Sequence, residues 1–254
     1  MPSFGRSDDL TGAEFADTSL RRARFVGVDL SGAVLRGVAV RDVEVESPWL
    51  FEGGTLRVNG IDVVPLVDAE LDRHFPGRAE RNAADPAGLR SAWAAVEAAW
   101  APVMERAAAM PPGAVDARVG GEWSFAQTLR HLVMATDVWL RKAVLRIERP
   151  FHPLGLAGPG AEEEGLDMSV FATGTPTYAE VLDARAERVA MMRDHLARVT
   201  PEELDEPRPN PWAPQYQDTV RSCLHVVIGE EWEHLRYAVR DLDALAAAPG
   251  GPGD

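Results

Sequence analysis

LTGAEFADTSLRRARFVGVDLSGAVLRGVAVRDVEV, residues 10–45, carries a large apolar side chain at every fifth position. These positions are Leu10, Phe15, Leu20, Phe25, Leu30, Leu35, Val40 and Val45. A helix would scatter a five-residue period around its axis, and a strand would send successive repeats to alternate faces. A four-sided solenoid with five residues to a side points every large residue to its axis. Stacked coils of such a solenoid bury a continuous apolar column.

The segments LTGAEF, LRRARF and LSGAVL show the repeat most directly, with a small residue two positions before the large one. This pattern resembles the pentapeptide-repeat family, and the resemblance covers about residues 8–47. It implies a short right-handed quadrilateral β-helix over residues 1–50, through which a protein partner could bind. The signal is specific for fold and says little about function.

A small β element follows the repeats. In TLRVNGIDVV, Asn59 and Gly60 separate two short runs rich in Val, Leu and Ile, and Asn-Gly favours a two-residue type I′ hairpin turn. The polar stretch HFPGRAERNAADP is typical of a linker. We therefore predict a β-hairpin and linker over residues 51–84.

The chain is helical after the linker. Asp85 and Ser124 are candidate N-caps, and apolar residues recur at helical spacing in four segments, residues 85–109, 124–147, 177–199 and 218–248. A long Gly/Pro-rich connection, residues 148–177, separates the second from the third. This order predicts a four-helix bundle with one crossover over residues 85–247, followed by a disordered tail at 248–254.

Composition excludes several classes of protein. The formal net charge is −14, and no cluster of Lys and Arg offers a nucleic-acid site. Cys223 is the only cysteine, so no intrachain disulfide can form. The N-terminus lacks the apolar core of a signal peptide, and no stretch is long enough for a membrane span. We expect a soluble, cytoplasmic protein with no nucleic-acid or membrane partner.

The stretch HVVIGEEWEH, residues 225–234, contains the candidate site. Residues four apart share a helix face, so Glu230 and His234 align on a stripe that is otherwise apolar. A buried carboxylate and imidazole need partners, and a metal would satisfy both. His131 on the second helix is the best-placed third ligand. Three ligands with one open position are typical of catalytic zinc.

A simpler interpretation stands beside this one. A Glu and a His four apart are often a surface pair, and no compact motif such as H-E-x-x-H is present. His225 lies on the opposite side of the helix and is expected to be structural or solvated, as are His74, His152 and His195. Glu231 and Glu233 are expected to face solvent, and Cys223 to be a small core residue.

GEWSFAQTLRHLVMATDVWL together with EEWEHLRYAVRDL resembles the DinB-like superfamily of four-helix metal proteins, over about residues 85–247. In that superfamily the first ligand corresponds to His131, and the other two lie four apart on the last helix. They are commonly two histidines, and here Glu230 replaces the first. The resulting His, Glu, His set is similar to the mycothiol-dependent maleylpyruvate isomerase branch, in which it holds zinc.

The resemblance implies a thiol reaction. Zinc keeps a coordinated thiol deprotonated, and a low-molecular-weight thiol, mycothiol, would serve as cosubstrate in attack on a small electrophile. The activity would be that of an S-transferase or an isomerase. Arg236, Tyr237 and Arg240 are weak candidates for binding an anionic thiol or substrate, with surface salt bridging as the alternative role of the arginines.

Two other classes remain open from the sequence. The first is an interaction protein, since pentapeptide-repeat proteins include DNA mimics that bind type II topoisomerases. Residues 1–46 carry six arginines against eight carboxylates, which is too balanced for a phosphate mimic. The second is a bundle whose metal residues are non-catalytic, or whose zinc activates water for hydrolysis.

Overall fold

The computed structural model describes residues 3–5, 7–163 and 165–247. The chain divides into two compact units, Met1–Glu46 and Ser47–Asp254. The tail expected at residues 248–254 lies outside the described residues.

The backbone of the first unit repeats every five residues. A left-handed backbone conformation recurs at Gly12, Asp17, Arg22, Gly27, Gly32, Gly37 and Asp42. Turn hydrogen bonds recur at twice that spacing, from the N–H groups of Ala13, Ala23 and Ala33 to the carbonyls of Leu10, Leu20 and Leu30. The chain therefore bends once in each repeat, as the sequence period predicts.

The buried column expected from the repeats is not what the structure shows. The eight large residues are between 45% and 68% exposed, and no strand is assigned in the described part of residues 3–46. The physical reason is length, because the repeats complete only about two coils. A large side chain then has at most one neighbouring coil to pack against, so the apolar column stays open to solvent.

The predicted hairpin is present at the start of the second unit. Strands β1 (Arg57–Val58) and β2 (Ile61–Asp62) pair antiparallel, with Val58 opposite Ile61. Asn59 and Gly60 both have positive φ, 50° and 83°, as a type I′ turn requires.

The predicted linker is wrong. Residues that follow the hairpin form helix α1 (Val64–His74) and a 3₁₀ turn (Arg78–Asn82) that packs on the bundle. Arg78 is buried and pairs with Asp68 and Asp72 at 2.8 and 2.5 Å. Polar composition predicts a linker, but these charges pair with one another within folded structure.

Four long helices build the core of the second unit. They are α2 (Pro86–Ala108), α3 (Phe125–Thr136), α4 (Tyr178–Leu196) and α6 (Val220–Ala247). α2 and α3 each pack against both α4 and α6. Asp85 caps α2, and Ser124 forms a capping box with Gln127 at the start of α3, as the sequence predicts.

Contacts between helix ends give the direction of each helix. The rings of Phe125 and Tyr178, the first residues of α3 and α4, have centroids 6.5 Å apart. Arg106 and Asp243, near the last residues of α2 and α6, pair at 2.6 Å. α3 therefore runs parallel to α4, and α2 parallel to α6. The connection of residues 145–177, here called the crossover loop, must return along the length of the bundle.

Shorter elements complete the unit. α3 continues as a π-helix (Asp137–Val144), and 3₁₀ turns span Ala114–Asp116 and Met168–Val170. Helix α5 (Pro201–Leu204) precedes strands β3 (Pro207–Pro209) and β4 (Gln217–Thr219), which form a second antiparallel pair. In the described part of the chain, no helix has both the length and the apolar character needed to span a bilayer.

Candidate metal centre

Three predicted ligands meet between α3 and α6. One donor atom each from His131, Glu230 and His234 lies within 4.8 Å of the other two. His131 Nε2 and His234 Nε2 approach the same Glu230 carboxylate oxygen, at 3.4 and 3.2 Å. We call these residues the His–Glu–His cluster. Helix periodicity places Glu230 and His234 on one face, and the packing of α3 on α6 adds His131.

Hydrogen bonding at His131 tests whether a cation fits. Its Nδ1 lies 3.0 Å from the backbone carbonyl oxygen of Leu156, an atom that can only accept, so Nδ1 carries the proton. In the neutral ring Nε2 then holds a lone pair that points at the Glu230 carboxylate. Two acceptors facing each other at 3.4 Å need a proton or a cation between them. Imidazole nitrogen and carboxylate oxygen are zinc ligands, so the residues fit a metal ion.

The protonation states of the cluster are set by burial and by mutual contact. Burial raises the pKa of Glu230, but the imidazoles of His131 and His234 outweigh it and hold that pKa well below its ordinary value. Burial lowers the pKa of His234. An ionised carboxylate and a neutral imidazole at neutral pH are the forms that bind metal.

Aromatic rings cover the cluster on one side. The Trp123 ring centroid lies 4.6 Å from that of His131 and 6.1 Å from that of His234. Tyr237 meets His234 edge-on at 5.7 Å. Trp123 stands immediately before Ser124, the N-cap of α3, and this position brings its ring to the site.

The crossover loop is attached to α3 beside the cluster. Arg130 Nε donates to the carbonyl of Leu154 at 2.9 Å, and Leu156 N–H donates to the carbonyl of Arg130 at 3.1 Å. Asp137 accepts from the N–H of His152 at 2.6 Å. These contacts could not be predicted from the sequence, because the loop contributes only backbone atoms, which every residue type has.

A pocket of about 140 Å³ opens beside His131 and Glu230. Its walls come from α3, the π-helix, the crossover loop and the segment before β4. Its other lining residues are Met134, Ala135, Val138, Trp139, Gly158, Pro159, Ala161 and Trp212. We call this the apolar pocket.

Glu52 is a further acidic group near the cluster that sequence reasoning missed. Partial burial raises the pKa of its carboxyl, and the negative charge of Glu230 raises that pKa further. Glu52 belongs to the segment before the hairpin, which carries no motif, so nothing in its neighbourhood signalled this position.

The three weak binding candidates lie on one edge of the site. Tyr237 contacts His234, and the guanidinium groups of Arg236 and Arg240 lie over the Tyr237 ring at 4.4 and 5.2 Å. Arg236 pairs with Glu233 at 3.0 Å, and Arg240 pairs with Glu122 at 2.6 Å. The structure therefore gives both arginines ion-pair partners.

Neighbours of the cluster on α6 have structural roles. His225 Nε2 lies 2.8 Å from the carbonyl oxygen of Ala83, away from the cluster. Cys223 is a core residue, as predicted, and burial raises the pKa of its thiol to about 12. The prediction that Glu231 faces solvent is wrong, since it is 1% exposed and pairs with Arg185 of α4. The buried guanidinium of Arg185 pairs with the Glu231 carboxylate and offsets the cost of removing it from water.

Comparison with known proteins agrees with the fusion expected from the sequence. The sequence model of the DinB superfamily matches residues 95–238, more than half of the chain. The model of pentapeptide repeats matches residues 9–38 with 8 copies. No curated protein and no solved structure matches the chain.

Proposed function

The chain belongs to the DinB superfamily, and we propose that its bundle is a zinc-dependent enzyme acting on a small electrophile with a low-molecular-weight thiol. Mycothiol is the proposed cosubstrate, and the reaction is S-transfer or thiol-assisted isomerisation. The observation that most directly supports this proposal is the approach of two imidazole nitrogens to one oxygen of Glu230. Three protein ligands leave one position open for a small ligand.

Bound zinc supplies one kind of chemistry, which is to lower the pKa of a thiol so that it reacts at neutral pH. The chain's own residues orient and shield the reactants. Leu156 fixes the His131 ring through its carbonyl oxygen, and Trp123 covers both imidazoles. The apolar pocket holds the electrophile beside Glu230.

The proposed transfer is balanced without an oxidant or reductant. The thiol loses its proton to solvent, a sulfur–carbon bond forms, and the leaving group departs with its electron pair. In isomerisation the thiol adds to a conjugated double bond and is eliminated again, so the thiol is regenerated. Arg236, Tyr237 and Arg240 are proposed to bind the thiol cosubstrate at the edge of the site. Arg236 and Arg240 would have to exchange their present ion pairs to do so.

Elemental analysis and a thiol-dependence assay test this function together. We expect zinc in purified protein, and consumption of an alkylating electrophile only when mycothiol is supplied. The rate should fall in His131→Ala and His234→Ala. Turnover of an ester or amide without thiol, with no thiol adduct in the mass spectrum, would instead identify a hydrolase in which zinc activates water.

The repeats support a second function, protein binding. Their eight large apolar side chains are 45–68% exposed, and contiguous exposed apolar surface is typical of interaction sites. We propose that the repeats complete a quadrilateral β-helix when another protein covers this surface. Sedimentation of the full chain over a concentration series, compared with Phe15→Ser/Phe25→Ser, tests the simplest case, self-association. Identical sedimentation of both proteins as monomers would exclude that case.

A further inference from the structure

We infer that the electrophile is a small, neutral, apolar molecule and not an organic acid, an inference that rests on the proposed function. It follows from the size, the walls and the charges of the apolar pocket, which is the space beside His131 and Glu230.

The volume limits the part of the substrate that enters. About 140 Å³ is close to that of engineered apolar protein cavities, about 150 Å³, which bind benzene. A single aromatic ring or a short branched chain fills such a space. A larger group would have to displace the side chain of Trp139 or Trp212.

Most residues that line the pocket are apolar, because the crossover loop builds a second small core on α3. Met134, Val138, Ala161 and Leu166 form a buried cluster separate from the main core of the bundle. Trp139, Phe151 and Trp212 pack against it. Apolar substrate surface placed here is removed from water, which stabilises the complex by about 25 cal/mol per Å².

Charge excludes an acid from the same space. Glu230 is the one acidic residue among those that line the apolar pocket, and no lysine or arginine lines it. A carboxylate bound there would lose water and face the negative charge of Glu230, with no lysine or arginine to pair with, at a cost of several kcal/mol. If it reached a bound metal ion instead, it would compete with the thiol for the open position.

A second pocket, which shares Trp212 with the apolar pocket, does not change this conclusion. Lys142, the only lysine of the chain, lines it, but so does Asp167. Lys142 Nζ already donates to the carbonyl of Pro211 at 3.1 Å. An acidic substrate would have to reach past Trp212 to a cation that shares its pocket with a carboxylate.

Binding to the metal-free full chain tests the inference without relying on catalysis. The probes are 4-fluorotoluene and 4-fluorobenzoate, followed by fluorine NMR. We expect the neutral probe to bind at least about tenfold more tightly, a difference of about 1.4 kcal/mol. Ala135→Leu fills the pocket and should abolish binding, whereas Ala98→Leu, on an exposed face of α2, should not. If Ala135→Leu does not fold, Trp212→Ala is the second variant. It removes one wall of the apolar pocket and should weaken the binding of 4-fluorotoluene.

The zinc-loaded protein gives the second readout. With thiol present, benzyl chloride should react with a lower KM than 4-(chloromethyl)benzoate, which differs by one carboxylate; a sulfur–carbon bond forms and chloride leaves with its electron pair. Equal or tighter binding of 4-fluorobenzoate to the metal-free protein would overturn the inference. Preferential binding of 4-fluorotoluene without thiol-dependent turnover would contradict the proposed function and leave the pocket's selectivity intact.

Discussion

His131 Nδ1 lies 3.0 Å from the carbonyl oxygen of Leu156, so a backbone atom of the crossover loop decides which nitrogen of the ring faces Glu230. The acidic residue and the second histidine come from α6, and the orientation of the first histidine comes from a loop about 25 residues further along the chain. The geometry of the cluster therefore depends on three separate parts of the bundle.

Removing any member of the His–Glu–His cluster should remove the metal. We expect His131→Ala, Glu230→Ala and His234→Ala each to lower the bound zinc per chain sharply, because two protein ligands bind far more weakly than three. His225→Ala is the matched control, since its ring contacts Ala83 away from the cluster. Inductively coupled plasma analysis measures the metal, and equal zinc in all five proteins would end the metal interpretation.

Gly155→Ala should loosen the site without touching a ligand. A Cβ at residue 155 would lie 3.1 Å from the Phe171 ring, 3.2 Å from the carbonyl of His152 and 3.3 Å from Met134. We expect the loop to shift from α3, which weakens the Leu156 contact to His131. Loss of such a supporting contact lowers metal affinity by about 10- to 100-fold.

Gly174→Ala is the control for that variant, because nothing lies within 4 Å of a Cβ there and the residue belongs to the same loop. Competition with a chromogenic chelator measures both affinities. The same zinc affinity in Gly155→Ala and wild type would show that the loop contact does not position His131.

Metal retention should depend on pH with a defined direction. Burial lowers the pKa of His234, so at pH 7 the ring is already neutral and no proton has to leave when metal binds. We expect bound zinc to be constant from about pH 8 to 6.5 and to fall at lower pH, as protons compete for the imidazoles. Dialysis at a series of pH values followed by metal analysis measures this. A loss centred above pH 7 would contradict the assignment of His234 as a ligand.

Each member of the buried Arg185–Glu231 pair should need the other as its charge partner, so removing one alone should destabilise the fold. Glu231→Ala leaves a buried guanidinium without its partner, which costs about 3–5 kcal/mol in the free energy of unfolding. Arg185→Met/Glu231→Leu should recover much of that loss. Arg193→Ala, which breaks a pair with Glu97 at a largely exposed arginine, should cost less than about 1 kcal/mol. Urea denaturation measures all three, and equal losses for Glu231→Ala and Arg193→Ala would contradict a buried role for the pair.

Periodicity explains which parts of the structure could be predicted from the sequence. The five-residue period predicts the recurring bends of residues 12–42, and the i, i+4 spacing predicts that Glu230 and His234 share a face. Capping chemistry at Asp85 and Ser124 predicts where two helices begin. Each of these features depends on residues close together in the chain, so local sequence carries the information.

Features that depend on distant partners could not be predicted. Glu231 was expected in solvent because its partner, Arg185, is 46 residues away on another helix. The 3₁₀ turn has the composition of a linker, because Arg78 pairs with Asp68 and Asp72 only after the chain turns back. The apolar pocket depends on how the crossover loop packs on α3, which no local pattern encodes.

The segment before α2 gives the last prediction, which concerns where the bundle can be cut. Residues 1–46 form a compact unit of their own, so a chain beginning at Ser47 should fold with an unchanged helical signal. A chain beginning at residue 82 loses α1 and most of the 3₁₀ turn that packs on α2 and α6. Gly77 packs closely on the bundle: a Cβ added to Gly77 would lie 2.5 Å from the Cβ of Ala95 and 4.0 Å from the ring of Trp232. Removing this segment therefore exposes core surface.

We therefore expect the 82–254 chain to melt at a lower temperature than the 47–254 chain. Each kcal/mol of lost stability lowers Tm by about 2–4 °C in a domain of this size. Circular dichroism gives Tm, and a red shift of tryptophan emission reports exposure of buried tryptophans, among them Trp232. Equal melting temperatures would show that α1 and the 3₁₀ turn cover the bundle without stabilising it. A lower Tm for the 47–254 chain than for the full chain would instead show that residues 1–46 contribute to the stability of the bundle.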